Sequence, residues 1–323
     1  RAVPQLAARG GGKAKVADAG AVEQEIARSK ALGARYLLMG DKDYPFLLEQ
    51  MEGAPPALIV RGDATLAARQ CVAMVGARNA SAAACRFARS LAQELGQQGA
   101  VAVSGLARGI DTAAHQGSVA TGTIAVIACG LDVVFPPENG DLQEQVATEG
   151  LLVTEHPPGT QPLARHFPAR NRIIAGLAAG TVVVEAAPRS GSLITARLAV
   201  EAGREVMAVP GSPADPRAQG CNQLIREGAT LVQNGADVVE AIGGIDSRMV
   251  RQGSLDFAGE PVSSDVAGRE REAVLGLLGH APVPVDEIIR LSAFSPAIVQ
   301  TVLLELELAG RLERHAGGRV SLS

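Results

Sequence analysis

Residues 180–196 read Gly180-Thr-Val-Val-Val-Glu-Ala-Ala-Pro-Arg-Ser-Gly-Ser-Leu-Ile-Thr-Ala, an apolar run that leads through a Ser-Gly-Ser loop into a helix. A continuous apolar run is typical of a buried parallel strand, and the free N–H groups that open a helix favour an anion. Shortly before this segment stands Arg165-His-Phe-Pro-Ala-Arg-Asn-Arg-Ile-Ile-Ala-Gly. Residues 156–205 contain six arginines and three glutamates, although the chain has a net charge of −4. The two segments therefore predict an α/β fold with a local phosphate-binding surface.

The same order of apolar run, glycine-bearing loop and amphipathic helix repeats from Gln70 to about Val209. This repeat predicts a parallel sheet with helices on both faces. Strands are predicted at residues 71–75, 100–103, 123–128, 151–154, 181–185 and 205–209. Helices are predicted to begin near Ser81, Asp111, Asn139, Ala169 and Ser192. The expected fold is a Rossmann-like, doubly wound, mostly parallel sheet whose ligand crevice lies at the carboxyl ends of the strands.

Four segments are predicted along the chain. Because it begins with Arg1 rather than Met, we expect residues 1–40 to be the remnant of an N-terminal helical module. Residues 41–242 form the Rossmann-like domain, and the Gly/Ser-rich residues 243–268 form a linker. Residues 269–323 are predicted to be a small C-terminal winged-helix domain, with helices at 269–278, 285–291 and 295–309 and a hairpin turned by Gly317-Gly318.

Composition narrows the class of protein. With 323 residues, 47% of them hydrophobic, the chain is long enough to bury a sizeable core. The four cysteines are widely spaced and form no Cys-x-x-Cys pair, so we expect neither disulfides nor a metal site, and a reducing cytoplasm fits. The longest apolar run, residues 123–128, is far too short to span a bilayer, so no membrane insertion is expected.

Three loops between a strand and a helix carry candidate anion-binding residues. Their members are Gly76 and Arg78 in the first loop, Ser104, Gly105 and Arg108 in the second, and Arg189, Ser190, Gly191, Ser192 and Thr195 in the third. Neighbouring strands lie ~5 Å apart, so three such loops would place a row of positive points on one rim. A row of positive points suits a polymer of phosphates better than a single nucleotide. The first loop also lacks the Gly-x-Gly-x-x-Gly pattern of dinucleotide-binding proteins.

Residues 165–172 extend this surface. Arg165, Arg170 and Arg172 supply cations, and Asn171 binds a phosphate or ties down its own loop. Phe167 stands out because aromatic residues make up 2% of the chain, and its place beside Arg165 makes it the best candidate for stacking on a base; packing in the core is the alternative. We expect Asp111 to cap its helix, His115 to pack or bond the backbone, and Glu185 to pair with an arginine.

These motifs resemble the DNA-processing protein A family, also called DprA or Smf. The shared segments, in the family's order, are Val75-Gly-Ala-Arg, Ser104-Gly-Leu-Ala-Arg-Gly-Ile-Asp, Gly130-Leu-Asp, Phe167-Pro-Ala-Arg-Asn-Arg-Ile-Ile, Ser190-Gly-Ser-Leu-Ile-Thr-Ala, Val209-Pro-Gly and Gly220-Cys-Asn-Gln-Leu-Ile-Arg-Glu-Gly-Ala. They cover about residues 44–242. The resemblance implies a single-stranded DNA binder that protects incoming strands during natural transformation and helps load the RecA recombinase, with no cofactor.

The resemblance also implies roles for particular residues. Arg78 would contact DNA, together with a basic residue that many relatives carry three positions before the Phe; this chain has Ala164 there and Arg165 one position later. Homodimerisation is implied for the segment that holds Asn222, Ile225 and Leu231, although the apolar members would equally serve as core.

Two alternatives remain at this point. The domain is similar to LOG-type phosphoribohydrolases, but the helix after Ser190-Gly-Ser has no acid before Glu201, so we expect no enzymatic activity. Residues 269–323 hold six arginines and seven acids, whereas a helix that reads the major groove presents cations and amides. The winged helix is therefore predicted to bind protein rather than duplex DNA.

Overall fold

The computed structural model describes residues 3–12, 17–243, 268–315 and 317–323. These residues fall into two compact units, of which residues 23–243 form the larger and residues 3–22 with 268–323 the smaller. The predicted linker at 243–268 lies outside the described residues except for its two terminal glycines. The predicted domain boundaries stay predictions.

Within residues 17–243 the structure forms one sheet of nine strands. Their bounds are β1 Arg35–Leu38, β2 Ala57–Gly62, β3 Cys71–Val75, β4 Val101–Ser104, β5 Thr123–Val126, β6 Leu151–Thr154, β7 Gly180–Val183, β8 Glu205–Ala208 and β9 Thr230–Leu231. The order across the sheet is β1-β2-β6-β5-β4-β3-β7-β8-β9. Strands β3 to β9 pair in parallel, and β1 and β2 add an antiparallel edge. The predicted mostly parallel sheet is confirmed.

Helices alternate with these strands. Those of the larger unit are α2 Ala19–Ala31, which begins just before it, α3 Phe46–Glu49, α4 Ala82–Gln97, α5 Ile110–Ser118, α6 Gly140–Glu149, α7 His166–Leu177, α8 Gly191–Glu201, α9 Gln219–Arg226 and α10 Gly235–Ile242. Ser81 caps α4, since its Oγ accepts from Ala84 N at 3.0 Å. The predicted start near Ala169 is three residues late, because α7 begins at His166.

Both faces of the sheet are covered. Successive residues of β3 point to opposite faces, so Val72 and Met74 pack in one cluster with Leu91 and Leu95 of α4. Ala73 and Val75 lie in a second cluster, on the face where Ile173 and Leu177 of α7 pack. This division accounts for the continuous apolar runs of the central strands, because neither face of such a strand meets water.

The strand order reverses between β3 and β7. The chain runs outward from β3 through β4 and β5 to β6 and then crosses back to place β7 on the other side of β3. Loops that leave β3 and β7 therefore diverge at their carboxyl ends. Open α/β sheets hold their ligands at such a reversal.

The smaller unit contains the predicted winged helix, and this part of the prediction is confirmed. Its elements are α1 Val3–Arg9, α11 Gly268–Gly276, β10 Val283–Pro284, α12 Val285–Ser292, α13 Pro296–Leu308, β11 Leu312–His315 and β12 Arg319–Leu322. Ser295 caps α13 by accepting from Ile298 N, and Pro296 occupies the first helical position, as predicted. The three strands pair in the order β10-β12-β11.

Helix α1 packs against α13 within this unit. A Cβ atom on Gly10 would lie 2.1 Å from the carbonyl oxygen of Glu305, so the chain approaches the helix at a distance that glycine alone allows. Arg311 Nη1 donates to the carbonyl oxygen of Gly10 at 3.0 Å. Residues 3–12 are thus part of the winged-helix unit.

Candidate nucleic-acid interface

A cleft of about 660 Å³ lies at the reversal of the strand order. It is lined by residues of the loops after β3, β4 and β7, and by the first turns of α7 and α8. The predicted site residues that line it are Gly76, Arg78, Phe167, Arg170, Asn171, Arg189, Ser190, Gly191, Ser192 and Thr195. The structure therefore brings together ten of the residues singled out from the sequence.

The loop after β7 presents a helix start to this cleft. Ser190 caps α8, and its Oγ accepts from Ser192 N and lies 2.8 Å from Ser192 Oγ. Gly191 is exposed, and a Cβ atom there would meet nothing within 4 Å. Arg189 holds a left-handed backbone at φ +69°, which is uncommon for a residue with a side chain and turns the chain into the helix. The geometry fits an anion at the N-terminus of α8.

The loop after β3 is already occupied by one of the protein's own carboxylates. Glu185 Oε1 accepts from Ser81 N at 2.9 Å, and Oε2 accepts from Ser81 Oγ at 2.7 Å. The carboxylate therefore sits at the N-terminus of α4, where the helix dipole stabilises negative charge. The expectation that Glu185 pairs with an arginine was wrong. It ends a buried strand next to a helix start, and the amide and hydroxyl there satisfy it.

The loop after β4 holds a second carboxylate. Asp111 Oδ2 accepts from Gly105 N at 3.1 Å and from Ala107 N at 3.3 Å, inside the first turn of α5. Gly109, not Asp111, is the N-cap of that helix. The prediction that Asp111 caps α5 was therefore wrong: its carboxylate instead fixes the preceding loop. Burial raises the pKa of Asp111, and nearby Arg170 and the two amides oppose that rise.

Two exposed arginines remain available to a ligand. Arg78 and Arg189 line the cleft and form no ion pair within residues 17–243. The Arg78 guanidinium carbon lies 5.2 Å from the centre of the Phe167 ring, a cation–π contact that positions it over the cleft. The positive charge in the cleft thus comes mainly from the exposed guanidinium groups of Arg78 and Arg189, which line it together with the first turn of α8.

Arg170 lies at the floor of the cleft. Its side chain is 4% exposed, Nη1 donates to the carbonyl oxygen of Val126 at 3.1 Å, and Nε has no partner. Burial lowers the pKa of Arg170, and the Asp111 carboxylate opposes this shift. A Cβ atom on Gly105 would lie 1.4 Å from Arg170 Nη1, so a side chain at this position would have to displace the guanidinium.

The remaining predicted residues lie outside the cleft lining. Arg172 pairs with Glu155 and donates to the carbonyl oxygen of Gly53 at 2.7 Å. Arg108 lies 3.5 Å from Glu138, and Ser104 is buried and donates to the carbonyl oxygen of Met74. Arg165 is exposed just before α7, beside Ala164, which lines the cleft.

Phe135 is a residue that the sequence did not point to. Its ring centre lies 5.6 Å from that of Phe167, and it lines a narrow second cavity of about 50 Å³ beside the cleft. Phe135 is 40% exposed. It stands in a proline-rich loop without an adjacent arginine, so only the scarcity of aromatic residues offered a signal.

Titratable side chains lie behind and beside the cleft. His115 is fully buried, with Nδ1 2.8 Å from Thr123 Oγ1, and burial lowers its pKa to about 3. His156 and His166 lie with ring centres 4.3 Å apart, and burial lowers the pKa of His156.

In the described ranges, no group of three or more His, Cys, Asp or Glu side chains is placed to hold a metal ion. No helix among those residues is long and apolar enough to cross a bilayer.

An arginine-lined cleft at the strand reversal of a doubly wound sheet, in one chain with a winged helix, defines a class of Rossmann-like proteins with a cationic crevice. The family model described as DNA recombination-mediator protein A matches residues 35–243, and a DprA winged helix domain matches residues 259–318. The chain belongs to the DNA recombination-mediator protein A family.

Individual relatives agree with this membership. DNA processing protein DprA of Streptococcus pneumoniae is 48% identical over 201 residues, which cover 62% of this chain and 71% of the relative. Protein Smf of Escherichia coli is 38% identical over 291 residues, which cover 89% and 77% of the two chains. The crystal structure of the pneumococcal protein matches with a TM-score of 0.65 and 43% identity, covering 69% of this chain and 78% of that one.

A second solved structure bears on ligands. DNA processing protein A of Helicobacter pylori matches with a TM-score of 0.59 and 28% identity, over 65% of this chain and 96% of that one. That structure is described as giving insight into the single-stranded DNA binding mode of the Helicobacter pylori protein.

Proposed function

We propose that this chain binds single-stranded DNA in the cleft and performs no chemistry on it. The observation that carries the proposal is the helix start at Ser190 flanked by Arg78 and Arg189, which are exposed and form no ion pair within residues 17–243. Amides and guanidinium groups bind phosphates without reading bases, so we expect little sequence preference. The single-stranded DNA binding named for the Helicobacter pylori relative supports this ligand.

The test is a salt-dependent titration of single-stranded and duplex DNA of the same sequence. Affinity for the single strand should be higher, and Arg78→Ala should reduce the slope of log K against log salt by about 0.7 for each phosphate that the variant no longer neutralises. Arg35→Ala is the matched control, because Arg35 is an exposed arginine on the edge strand β1, where it pairs with Asp43. An unchanged slope for Arg78→Ala, or equal affinity for both DNA forms, would contradict the proposal.

The same salt-dependent titration distinguishes the roles of the arginines outside the cleft lining. Arg165 is exposed and forms no ion pair within residues 17–243, so we propose that it contacts the strand where it leaves the cleft. Arg172 pairs with Glu155 and donates to the carbonyl oxygen of Gly53. Arg172→Ala should therefore mainly lower the free energy of unfolding and have a smaller effect on the slope of log K against log salt. Arg108 is exposed beside Glu138 and is proposed as a peripheral contact. Ser104 and Gly105 then act through the shape of the loop.

We further propose the cellular role that the family resemblance implies. The chain would protect incoming single strands during natural transformation and help load the RecA recombinase, in a reducing cytoplasm that matches its four free cysteines. A strand-exchange assay with RecA on protein-coated single strands tests the loading step. Recombinase filaments that form no faster with this protein than without it would contradict that part of the role.

Homodimerisation is proposed for the segment around α9 and β9. Leu231 is 44% exposed on the edge strand, and Ile225 is half-buried. Asn222 clamps the loop at Gly211, with hydrogen bonds of 3.1 and 2.9 Å between its amide and the backbone. Leu231→Lys should convert a dimer to a monomer in light scattering, whereas Leu38→Lys on the opposite edge strand, 50% exposed, should not. A wild-type monomer would refute the proposed dimer.

For the winged helix we propose a protein partner. The exposed Glu307 lies on α13, where a duplex reader would present cations, and it pairs with Arg314 at 2.8 Å. Because α1 packs on α13, the test removes residues 1–22 together with 269–323. Affinity for single-stranded DNA should change little while a partner interaction weakens; a large loss of DNA affinity would contradict this division of roles.

A phosphoribohydrolase activity is not proposed. Among the residues that line the cleft, the acid is Asp111, and its carboxylate is already engaged by two amides of the loop after β4. Release of free base from a nucleoside monophosphate, abolished by Asp111→Asn, would overturn this conclusion.

A further inference from the structure

The segment that carries Arg165 is a loop of residues 155–165, which connects β6 to α7. It turns at Pro157, whose carbonyl oxygen accepts from Thr160 N at 3.2 Å and from Thr160 Oγ1 at 2.7 Å. Ala164 lines the cleft, and Arg165, the next residue, is exposed. The place of Arg165 beside the cleft therefore depends on what holds this loop.

The loop after β5 holds the 155–165 loop at two adjacent residues of its turn. Asp132 Oδ1 accepts from Gly159 N at 2.7 Å, and Gly130 N donates to the carbonyl oxygen of Thr160 at 2.9 Å. Gly159 has a left-handed backbone at φ +87°, a conformation that glycine adopts without strain. One carboxylate and one backbone amide of the Gly130-Leu-Asp segment thus fix the turn.

Gly130 also approaches the 155–165 loop closely. A Cβ atom on Gly130 would lie 2.8 Å from Gly159 N and 2.8 Å from the carbonyl oxygen of Pro157. Both of these are backbone atoms, so they cannot give way unless the loop itself moves. A side chain at position 130 would therefore push the turn away from the segment that holds it.

The other end of the 155–165 loop is held at the start of α7. His166 is the first residue of that helix, and its Nδ1 lies 3.2 Å from the carbonyl oxygen of Ala128, which also belongs to the loop after β5. Residues 161–165 connect the two held points, Thr160 and His166. A loop held in one conformation before its ligand arrives loses less conformational entropy on binding, and this raises affinity.

We propose that Asp132 is a positioning residue, which keeps residues 161–165 in the conformation in which Arg165 meets the bound strand. This inference rests on the proposed single-stranded DNA function and adds to it a residue that acts through the loop. Asp132 has two effects of opposite sign. Its charge repels the phosphates of a strand, whereas its hydrogen bond to Gly159 favours binding by holding the loop.

Two substitutions at position 132 separate these effects. Asp132→Asn removes the charge but keeps an oxygen that can accept from Gly159 N, whereas Asp132→Ala removes both. The affinity of each variant for a thymidine 20-mer is measured at several salt concentrations. We expect Asp132→Ala to bind more weakly than Asp132→Asn. It should also lose part of the slope of log K against log salt that Arg165→Ala loses, which is about 0.7 for one phosphate contact.

The same pair of substitutions is then made in the Arg165→Ala protein and in the Arg78→Ala protein. If Asp132 acts through Arg165, the difference in affinity between Asp132→Ala and Asp132→Asn should disappear in the Arg165→Ala protein. The difference should persist in the Arg78→Ala protein, because Arg78 follows a different strand. A general loss of structure would instead leave the difference in both.

Hydrogen exchange in the DNA-free protein examines the loop itself. The Gly159 amide should exchange faster in Asp132→Ala than in Asp132→Asn, because only the second variant keeps an acceptor for it. Gly130→Ala displaces the turn by a different route and should reduce the salt slope as Asp132→Ala does. Thermal unfolding of each variant checks that the rest of the fold is intact.

Several outcomes overturn the inference. Equal affinities of Asp132→Ala and Asp132→Asn, or a difference that persists in the Arg165→Ala protein, would show that Asp132 does not position Arg165. Equal exchange of the Gly159 amide in the two variants would show that Asp132 does not hold the loop. A wild-type protein that fails to bind the thymidine strand would refute the proposed function and this inference with it.

Discussion

Glu185 accepts two hydrogen bonds from Ser81, one from the backbone N at 2.9 Å and one from Oγ at 2.7 Å. A buried acid at the end of a central strand is thereby satisfied by the residue that caps the neighbouring helix. The contact joins the loop after β7 to the N-terminus of α4, and so links the segments that follow the two strands between which the order reverses.

The first prediction concerns this contact. Glu185→Ala leaves the Ser81 amide without its carboxylate partner and should lower the free energy of unfolding by about 1–3 kcal/mol, the cost of an unsatisfied buried group. Urea denaturation measures the change. Glu240→Ala, an exposed acid on α10, should have little effect, and equal losses for the two variants would show that the Ser81 contact contributes nothing particular.

A second prediction compares two glycines of the cleft. Gly105→Ala places a Cβ atom 1.4 Å from Arg170 Nη1, so the buried guanidinium must move and unfolding should become easier by about 1–3 kcal/mol. Gly191→Ala meets nothing within 4 Å and should leave stability nearly unchanged. Thermal denaturation of both variants checks this; a neutral Gly105→Ala would mean that Arg170 moves without cost.

The third prediction is a dependence on pH. His115 has a pKa of about 3 in the folded chain against an ordinary value of 6.5, because burial disfavours the imidazolium. A lowered pKa contributes stability that is present above pH 6.5 and lost as the pH falls toward 3. His115→Asn should therefore lose less stability than wild type between pH 6.5 and 3, by up to about 5 kcal/mol at full titration.

Unfolding by urea at a series of pH values measures this difference. The pKa of Asp111 is raised, so its protonation favours the folded chain as the pH falls. This effect is opposite to that of His115 and is the same in wild type and in His115→Asn. The charge of Arg170 also lowers the pKa of His115, and Arg170 stays charged over this pH range. The exposed His280 provides the control, and identical acid sensitivity of His115→Asn and His280→Asn would contradict the prediction.

The fourth prediction concerns the winged-helix unit. Glu305 of α13 is 1% exposed and accepts from Arg271 Nε at 2.6 Å and Nη2 at 3.1 Å, with Arg9 at 3.9 Å. Arg271→Met leaves a buried carboxylate without its closest cation and should destabilise the unit by about 3 kcal/mol or more. The double variant Arg271→Met, Glu305→Met should recover much of that loss, because it buries no charge. A double variant less stable than Arg271→Met would contradict this reading of the pair.

The fold was largely predictable, because it follows from local patterns. The apolar runs at β3 and β7, and the Ser295-Pro296 start of α13, each specify their element within a few neighbouring residues. Strand ends differ by one or two residues, as at β5, which stops at Val126 rather than residue 128. Pairing with the neighbouring strand, and not composition, decides where a strand ends.

The candidate site was predictable only in part. The arginines and the Ser190 helix start follow from the sequence, but the partner of Glu185 comes from another loop, and Asp111 bonds the loop before its helix instead of capping the helix. The aromatic contact between Phe135 and Phe167 joins residues 32 positions apart in the chain. Which arginine stays free and which is paired likewise depends on tertiary contacts, as Arg78 and Arg172 illustrate.

The approach of Arg170 to Gly105 also limits how this chain can vary. A side chain at position 105 and a full-length guanidinium at position 170 compete for the same space, since a Cβ atom would lie 1.4 Å from Nη1. Position 105 can therefore take a larger residue only if the side chain at position 170 moves or is shortened. Across homologous sequences, we expect any residue larger than glycine at the first of these positions to be accompanied by a shorter side chain at the second, so that the two sites change as a pair.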